Sequence, residues 1–308
     1  MSHPAVVKRL LADFSSRQPI RTTSLIITLF GDVVSQHGGT LWLSSLVEAL
    51  APFGVSDRLV RTSVFRLMKE GWLESERVGR RSYYRFTAYG NREYERATRR
   101  IYALETRRWN GRWQILVPLD IPEKNRERFK RSLHWQGFRP ISSGTFAKPG
   151  DGGSALLQTM QEFDVTDKVL IFEADSSELT SKQLLRDLVH DCWQLPDVAS
   201  GYREFLAHFR PLDKWLQRAP DLDPQSAFLT RILLIHDYRR ILLQDTHLPD
   251  ALLPPEWPGA EVLQLIGRCY RALAEPSIAY ITMSLESGNG KMPAPIDSFW
   301  LRFGRLPG

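Results

Sequence analysis

Six side chains between positions 58 and 69 have the types and spacing that contact with a nucleic acid requires. At about 100° per residue, Arg58, Arg61, Thr62, Phe65 and Lys69 share one helix face, with Arg66 at its flank. A guanidinium offers a fork of donors that matches phosphate oxygens and the guanine edge, while threonine and phenylalanine carbons pack on thymine methyls. Phe65 amid arginine and threonine is out of place on a merely solvated surface, and makes sense where DNA covers it. The opposite face carries Val60, Val64, Leu67 and Met68, which a core would bury. Two strand-like runs follow, WLESERV and SYYRFT, joined by Gly79-Arg80-Arg81. With Arg77 and Arg85, Arg80 and Arg81 place guanidiniums on a hairpin that would touch phosphate or a minor groove.

A second constellation lies far along the chain. Arg239 and Arg240 follow His236 and Tyr238, and adjacent arginines on a helix can hold a phosphate. The same arginines could equally pair with Asp237 or Asp245. Trp113, Trp135 and Phe138 could line an aromatic pocket or fill a core. His190, Asp191 and Cys192 combine metal-ligating types, but consecutive helical positions point about 100° apart. No Cys-x-x-Cys or His-x-x-x-His accompanies them. Asp120 is a single carboxylate where a metal-dependent nuclease needs several converging ones. With no Gly-x-Ser-x-Gly, Walker or strand-borne Gly-x-Gly-x-x-Gly pattern either, the sequence offers no catalytic residues, no metal site and no cofactor site.

The elements that position these residues follow from hydrophobic periodicity. Helical spacing runs from Thr22 to His37 and ends at Gly38-Gly39. TLWL reads as a short strand, a helix capped by Ser44 or Ser45 stops before Pro52, and Ser56 caps the arginine-bearing helix, which Gly71 closes. A charged helix from Tyr89 to Leu104 leads away. Helix, short strand, helix, helix, hairpin is the order of a winged helix-turn-helix. From residue 109 the alternation changes to strand, helix, two strands, helix, strand, followed by SKQLLRDLVHDCWQL as a further helix. That is the split βαβ order of a ferredoxin-like domain. Beyond 196 three long helical patterns are separated by Pro-containing stretches, and SGNGKMPAPID reads as a loop. The expected fold is therefore α+β and multidomain: a winged helix-turn-helix over 20–108, a ferredoxin-like middle domain over 109–195 and a helical C-terminal domain over 196–308.

Charge follows the same division. The 308 residues carry a net charge of +6. Residues 1–112 hold 19 Lys and Arg against 10 Asp and Glu, a balance of +9, so the remainder is slightly negative at −3. A small basic domain on a near-neutral body is the electrostatic footprint of a DNA reader. No apolar run approaches the ~18 residues of a membrane span, and MSHPAVVKRLLADFSSR lacks the apolar core of a secretory signal. Cys192 and Cys269 lie in apolar helical contexts and read as reduced, buried thiols, which suits the cytoplasm.

Several long, irregular strings extend this reading: FGDVVSQHGGTLWLSSL at 30–46, RTSVFRLMKEGWL at 61–73 and GRRSYYRFT at 79–87. Further on come WNGRWQILV at 109–117, LHWQGFRP at 133–140, AFLTRILLIHDYRRILLQD at 227–245 and LPDALLPPEWPG at 248–259. In these the chain resembles the phenylacetic-acid-catabolism repressors of the PaaX type over nearly its whole length. The resemblance implies that the middle domain is similar to Cas2 proteins. It also implies a homodimer that binds double-stranded operator DNA at aromatic-acid catabolic genes and releases it on binding phenylacetyl-CoA. For that effector, Arg239 or Arg240 is the expected phosphate contact and Trp135 the expected contact of the aromatic acyl end, with His236 a further expected effector-binding residue. The alternative from another class is a non-enzymatic RNA-binding or assembly protein.

Overall fold

A computed structural model describes residues 3–102, 109–150, 153–176, 181–245 and 248–306, except for the side chains of residues 96, 97, 99, 135, 154 and 182. Helix α1 (Ala5–Ser15) buries Val7, Leu10, Leu11 and Phe14, an i, i+3, i+4, i+7 stripe on one face. Helix α2 (Thr22–Asp32) is buried almost throughout, and a 3-10 turn, Val34–Gln36, replaces the helical continuation expected to His37. The reason is a remote partner. The Asp32 carbonyl accepts from Arg231 and Arg302 instead of from a following turn. Strand β1 (Leu41–Trp42), α3 (Leu43–Leu50), α4 (Asp57–Lys69), β2 (Leu73–Val78) and β3 (Arg81–Phe86) complete a winged helix, with an antiparallel sheet in the order β1-β3-β2. Gly79 takes a φ of +61° at the first loop position between β2 and β3, where a tight hairpin turn favours glycine. Helix α5 (Ala88–Tyr102) then crosses α2 so closely that a Cβ on Gly31 would lie 1.8 Å from the Tyr94 ring.

The middle of the chain forms β4 (Arg112–Pro118), α6 (Glu123–Trp135), β5 (Arg139–Ser142), β6 (Thr145–Pro149), α7 (Gly153–Glu162) and β7 (Val169–Asp175). Its sheet is antiparallel in the order β5-β6-β4-β7, so the two outer strands come from the ends of their βαβ halves, as a ferredoxin-like domain demands. Leu116, Phe129, Leu133, Phe138, Phe146, Leu156 and Met160 share one core. Helix α8 (Lys182–Cys192) contributes to a second cluster, in which Trp113, Val189 and Trp193 pack with Leu248 and Leu252. Trp113 and Phe138 are thus core residues and not the lining of an open pocket.

Three long helices follow: α9 (Leu195–Leu216), α10 (Pro224–Leu242) and α11 (Gly259–Ser284). The stretch expected to be a loop instead carries a short hairpin, β8 (Glu286–Ser287) and β9 (Gly290–Lys291), before a 3-10 segment at Asp297–Gly304. Packing does not run in chain order. One unit gathers residues 1–104, 203–240 and 260–308, and the other gathers 105–202 and 241–259. Helix α10 is the axis of the first unit's core: Ala227–Leu229 and Ile232–Ile235 are all buried, so it is enclosed on nearly every side. Among the described residues no helix is long and apolar enough to cross a membrane.

Candidate nucleic-acid interface

Helix α4 starts where Ser56 Oγ accepts a hydrogen bond from the Leu59 amide, 3.3 Å away, with Asp57 at the positive helix end. Val60, Ser63, Val64 and Leu67 are buried beneath it. Met68, expected in that apolar face, is 37% exposed, and Ser63, on the other edge of the arc, is buried instead. On the outer side Arg58, Arg61, Thr62, Phe65, Arg66 and Lys69 are all exposed, Phe65 at 70%. The structure therefore brings these six together on one open face.

Their polar atoms are held locally. Arg61 pairs with Asp57 at 2.7 Å, Arg66 pairs with Glu70 at 2.7 Å, and the Thr62 hydroxyl donates to the Arg58 carbonyl. Exposed i,i+4 ion pairs stabilise by only about 0.3–0.5 kcal/mol, so either arginine can leave its partner for a phosphate or base edge at small cost.

Ahead of α4, helix α3 begins at Leu43, and neither Ser44 nor Ser45 caps it. Ser45 Oγ instead accepts from the Glu286 amide at 3.1 Å, tying α3 to the small C-terminal hairpin. That hairpin also holds the wing. Arg81 donates to Glu286 at 2.7 Å, and its guanidinium lies 4.3 Å from the Trp42 ring centroid. Arg85 pairs with Glu74 at 2.8 Å, and Arg77 Nε reaches the Gly79 carbonyl. Arg80, exposed at the turn, makes no ion pair among the described residues. The two adjacent wing arginines are therefore not equivalent: Arg81 is committed to the unit's own surface, and Arg80 points its charge to solvent.

Behind the interface lies a buried charge cluster that the sequence reading missed. Asp32 Oδ2 accepts from Arg231 Nε at 2.8 Å, while Asp32 Oδ1 accepts from Arg302, Tyr102 and Tyr270 at 2.9, 2.6 and 2.7 Å. Burial alone would raise the Asp32 carboxyl, but Arg231, Arg302 and the two phenols hold it below the usual carboxylate range. The one signal in the sequence was a carboxylate inside the apolar run LIITLFGDVV.

The residues assigned to an effector fall differently from expectation. Arg239 is only 8% exposed and donates to the Ser24 carbonyl and the Thr28 hydroxyl of α2, at 3.1 and 3.0 Å. Burial lowers its guanidinium, and no carboxylate answers it among the described residues. Being turned inward between helices, Arg239 does not offer a surface to a phosphate. His236 is buried beside it, 3.4 Å from the same Thr28 hydroxyl, and burial pushes its imidazole down to about 4. Arg240, one helical step on, is exposed. Of the acidic alternatives, Asp237 forms a two-bond ion pair with Arg17, and Asp245 accepts from the Tyr202 hydroxyl. Trp135 ends α6 in the other unit, and its side chain lies outside the described residues.

Comparison with known proteins gives three consecutive matches. A model described as PaaX-like protein matches residues 21–90, one for the central Cas2-like domain of PaaX protein matches 106–185, and one for the C-terminal domain of PaaX-like protein matches 193–283. The transcriptional repressor PaaX of Escherichia coli (strain K12) is 38% identical over 289 residues, covering 94% of this chain and 92% of that protein. Among solved structures, the uncharacterized protein Rv0674 from Mycobacterium tuberculosis aligns with a TM-score of 0.48 and 22% identity, over 76% of this chain and 88% of that one.

Proposed function

Because the chain belongs to the PaaX family, we propose that it is a cytoplasmic, dimeric transcriptional repressor of aromatic-acid catabolic genes, reading operator DNA with the exposed face of α4. The observation that carries the DNA contact is that Arg58, Arg61, Thr62, Phe65, Arg66 and Lys69 stand together on one solvent-facing side of a capped helix within a winged helix. Such a helix enters a major groove, where arginine forks distinguish guanine and a phenylalanine packs on thymine methyls. Arg80 supplies a phosphate contact from the wing. The relative, by its name, is a transcriptional repressor.

The effector is an aryl-acyl-CoA such as phenylacetyl-CoA. It releases the operator only if it binds the DNA-free arrangement better than the DNA-bound one. A hundredfold loss of operator affinity corresponds to about 2.7 kcal/mol, within the usual range of allosteric coupling. Of the arginines first considered, Arg240 is the one with its guanidinium available to a phosphate.

Competition binding tests the proposal. Purified protein should retain a labelled duplex from its own upstream promoter against excess random duplex and single-stranded RNA at raised salt. Equal displacement by all three would overturn operator reading. Titrating phenylacetyl-CoA by calorimetry with and without that duplex tests the effector: reciprocity requires the duplex to weaken ligand binding by the factor by which ligand weakens the duplex, and equal affinities would exclude this ligand.

A further inference from the structure

Glu286 follows Arg81 by 205 residues, yet the small hairpin of β8 and β9 takes its anchorage from the winged helix. Strand β8 runs beside β1, the strand that leads into α3. The Glu286 amide donates to Ser45 Oγ at 3.1 Å, and the Gly288 amide donates to Thr40 Oγ1 at 3.3 Å. In a helix-turn-helix the first helix crosses the DNA backbone while the second enters the major groove. Helix α3 is that first helix, so a hairpin fastened at its start stands on the backbone side of the winged helix.

Around Glu286 the charges do not cancel. Its Oε2 accepts from Arg81 at 2.7 Å, and its Oε1 lies 3.6 Å from Lys291 Nζ, so one carboxylate faces two cations. The two are not held alike. Arg81 is fixed by its hydrogen bond and by the Trp42 ring, 4.3 Å from its guanidinium. Lys291 at 3.6 Å is attracted by Glu286 without a hydrogen bond, and an exposed pair of this kind holds its members by about 1 kcal/mol at most. The backbone beneath Lys291 is nevertheless fixed, because it pairs across the hairpin with Glu286. Depth separates the charges as well: the Glu286 side chain is 26% exposed and that of Lys291 56%. An anion arriving from solvent meets the ammonium before it meets the carboxylate.

We propose that this hairpin is a third DNA-contacting element beside α4 and the wing, with the Lys291 ammonium taking a phosphate of the operator backbone. Glu286 then has a positioning role: it fixes Arg81 against the sheet and draws Lys291 to the wing, while the surplus positive charge of the three is answered by the phosphodiester. A lysine binds phosphate as a point charge, so this contact adds affinity on any sequence and no discrimination between bases. The inference rests on operator reading by α4 and adds to it a contact from a distant stretch of the chain.

Binding isotherms of the full chain on operator and random duplexes at several salt concentrations read the outcome. Lys291→Gln should lower the magnitude of the salt slope by about 0.9 on both duplexes. The ratio of the two affinities and the unfolding midpoint should stay as in wild type. Lys291→Arg should keep the wild-type slope. Arg210→Gln, which removes the same charge from an exposed ion pair on α9, should keep it too. Proximity is read separately: in a Cys192→Ser background, Lys291→Cys carrying a tethered iron–EDTA group should cleave the backbone of the bound operator duplex. A wild-type slope in Lys291→Gln, an equal fall in Arg210→Gln, or a duplex left intact by the tethered iron would each overturn the proposal. Operator reading survives all three as long as wild type still prefers operator to random duplex; a wild type without that preference removes both.

Discussion

Arg231 Nε donates to Asp32 Oδ2 across 2.8 Å with both side chains fully buried, although 199 residues separate them in the chain. A buried ion pair contributes little net stability against an apolar replacement, but removing one member leaves a charge with no water to solvate it. Arg231→Met still leaves Arg302 on Asp32, whereas Asp32→Ala strands two guanidiniums. Asp32→Ala should therefore destabilise by about 3–5 kcal/mol and Arg231→Met by less. Chemical denaturation of the two variants checks the ranking, and the reverse order would contradict it.

Acid should unfold the protein earlier than surface charge alone would suggest. His37 and His236 are buried, and burial pushes both imidazoles down to about 4. An unfolded histidine takes up its proton near pH 6.5, so between about 6.5 and 4 the unfolded state binds more protons and stability falls as the pH falls. Each site contributes up to about 3 kcal/mol over the whole interval. Asp32, whose carboxyl is held low, adds its own loss only below the ordinary carboxylate range, as pH descends toward its folded value. Thermal unfolding from pH 7 to 4.5 should show a falling midpoint, with a shallower slope in His236→Gln; identical slopes would remove His236 from the account.

On α4, Arg61→Ala should cost about 1–3 kcal/mol on operator DNA and much less on random duplex. Folding stability should barely move, because the Arg61–Asp57 pair is exposed at both ends. Phe65→Ser should likewise leave stability within about 0.5 kcal/mol while weakening operator binding. Parallel losses on both DNAs would make Arg61 a phosphate contact.

The wing arginines should separate. Arg80→Ala should reduce the magnitude of the salt slope by about 1 and leave folding unchanged. Arg81→Ala should instead loosen the wing from Trp42 and Glu286, lowering affinity with a smaller change of slope. Binding isotherms at several salt concentrations distinguish the two; equal slopes for wild type and Arg80→Ala would mean the turn points away from DNA.

Sequence periodicity was a good guide wherever the cause of structure is local. Ser56 caps α4 as its position predicts, and the alternation of strand and helix gave the order of the middle sheet. It failed where the partner is remote. Nothing near Asp32 announces Arg231 or Arg302, and the loop reading of residues 287–297 hid the hairpin that engages Arg81. Arg239 and Arg240 were treated as a pair because adjacent cations suggest a common target. On a helix enclosed on nearly every side, one step of about 100° is enough to bury one guanidinium and expose the other.

The buried clasp at Asp32 also bears on how such a reading head can be inherited or engineered. Its winged helix is not a cassette: cutting the gene after residue 104 would remove Arg231, Tyr270 and Arg302, leaving their carboxylate with Tyr102 alone and the apolar face of α2 uncovered. A chimera that exchanges operator preference between two such repressors must therefore either graft the α4 surface alone or carry three distant stretches of chain together. Recombination at the apparent linker would produce heads that fail to fold, so specificity in this architecture changes one surface side chain at a time.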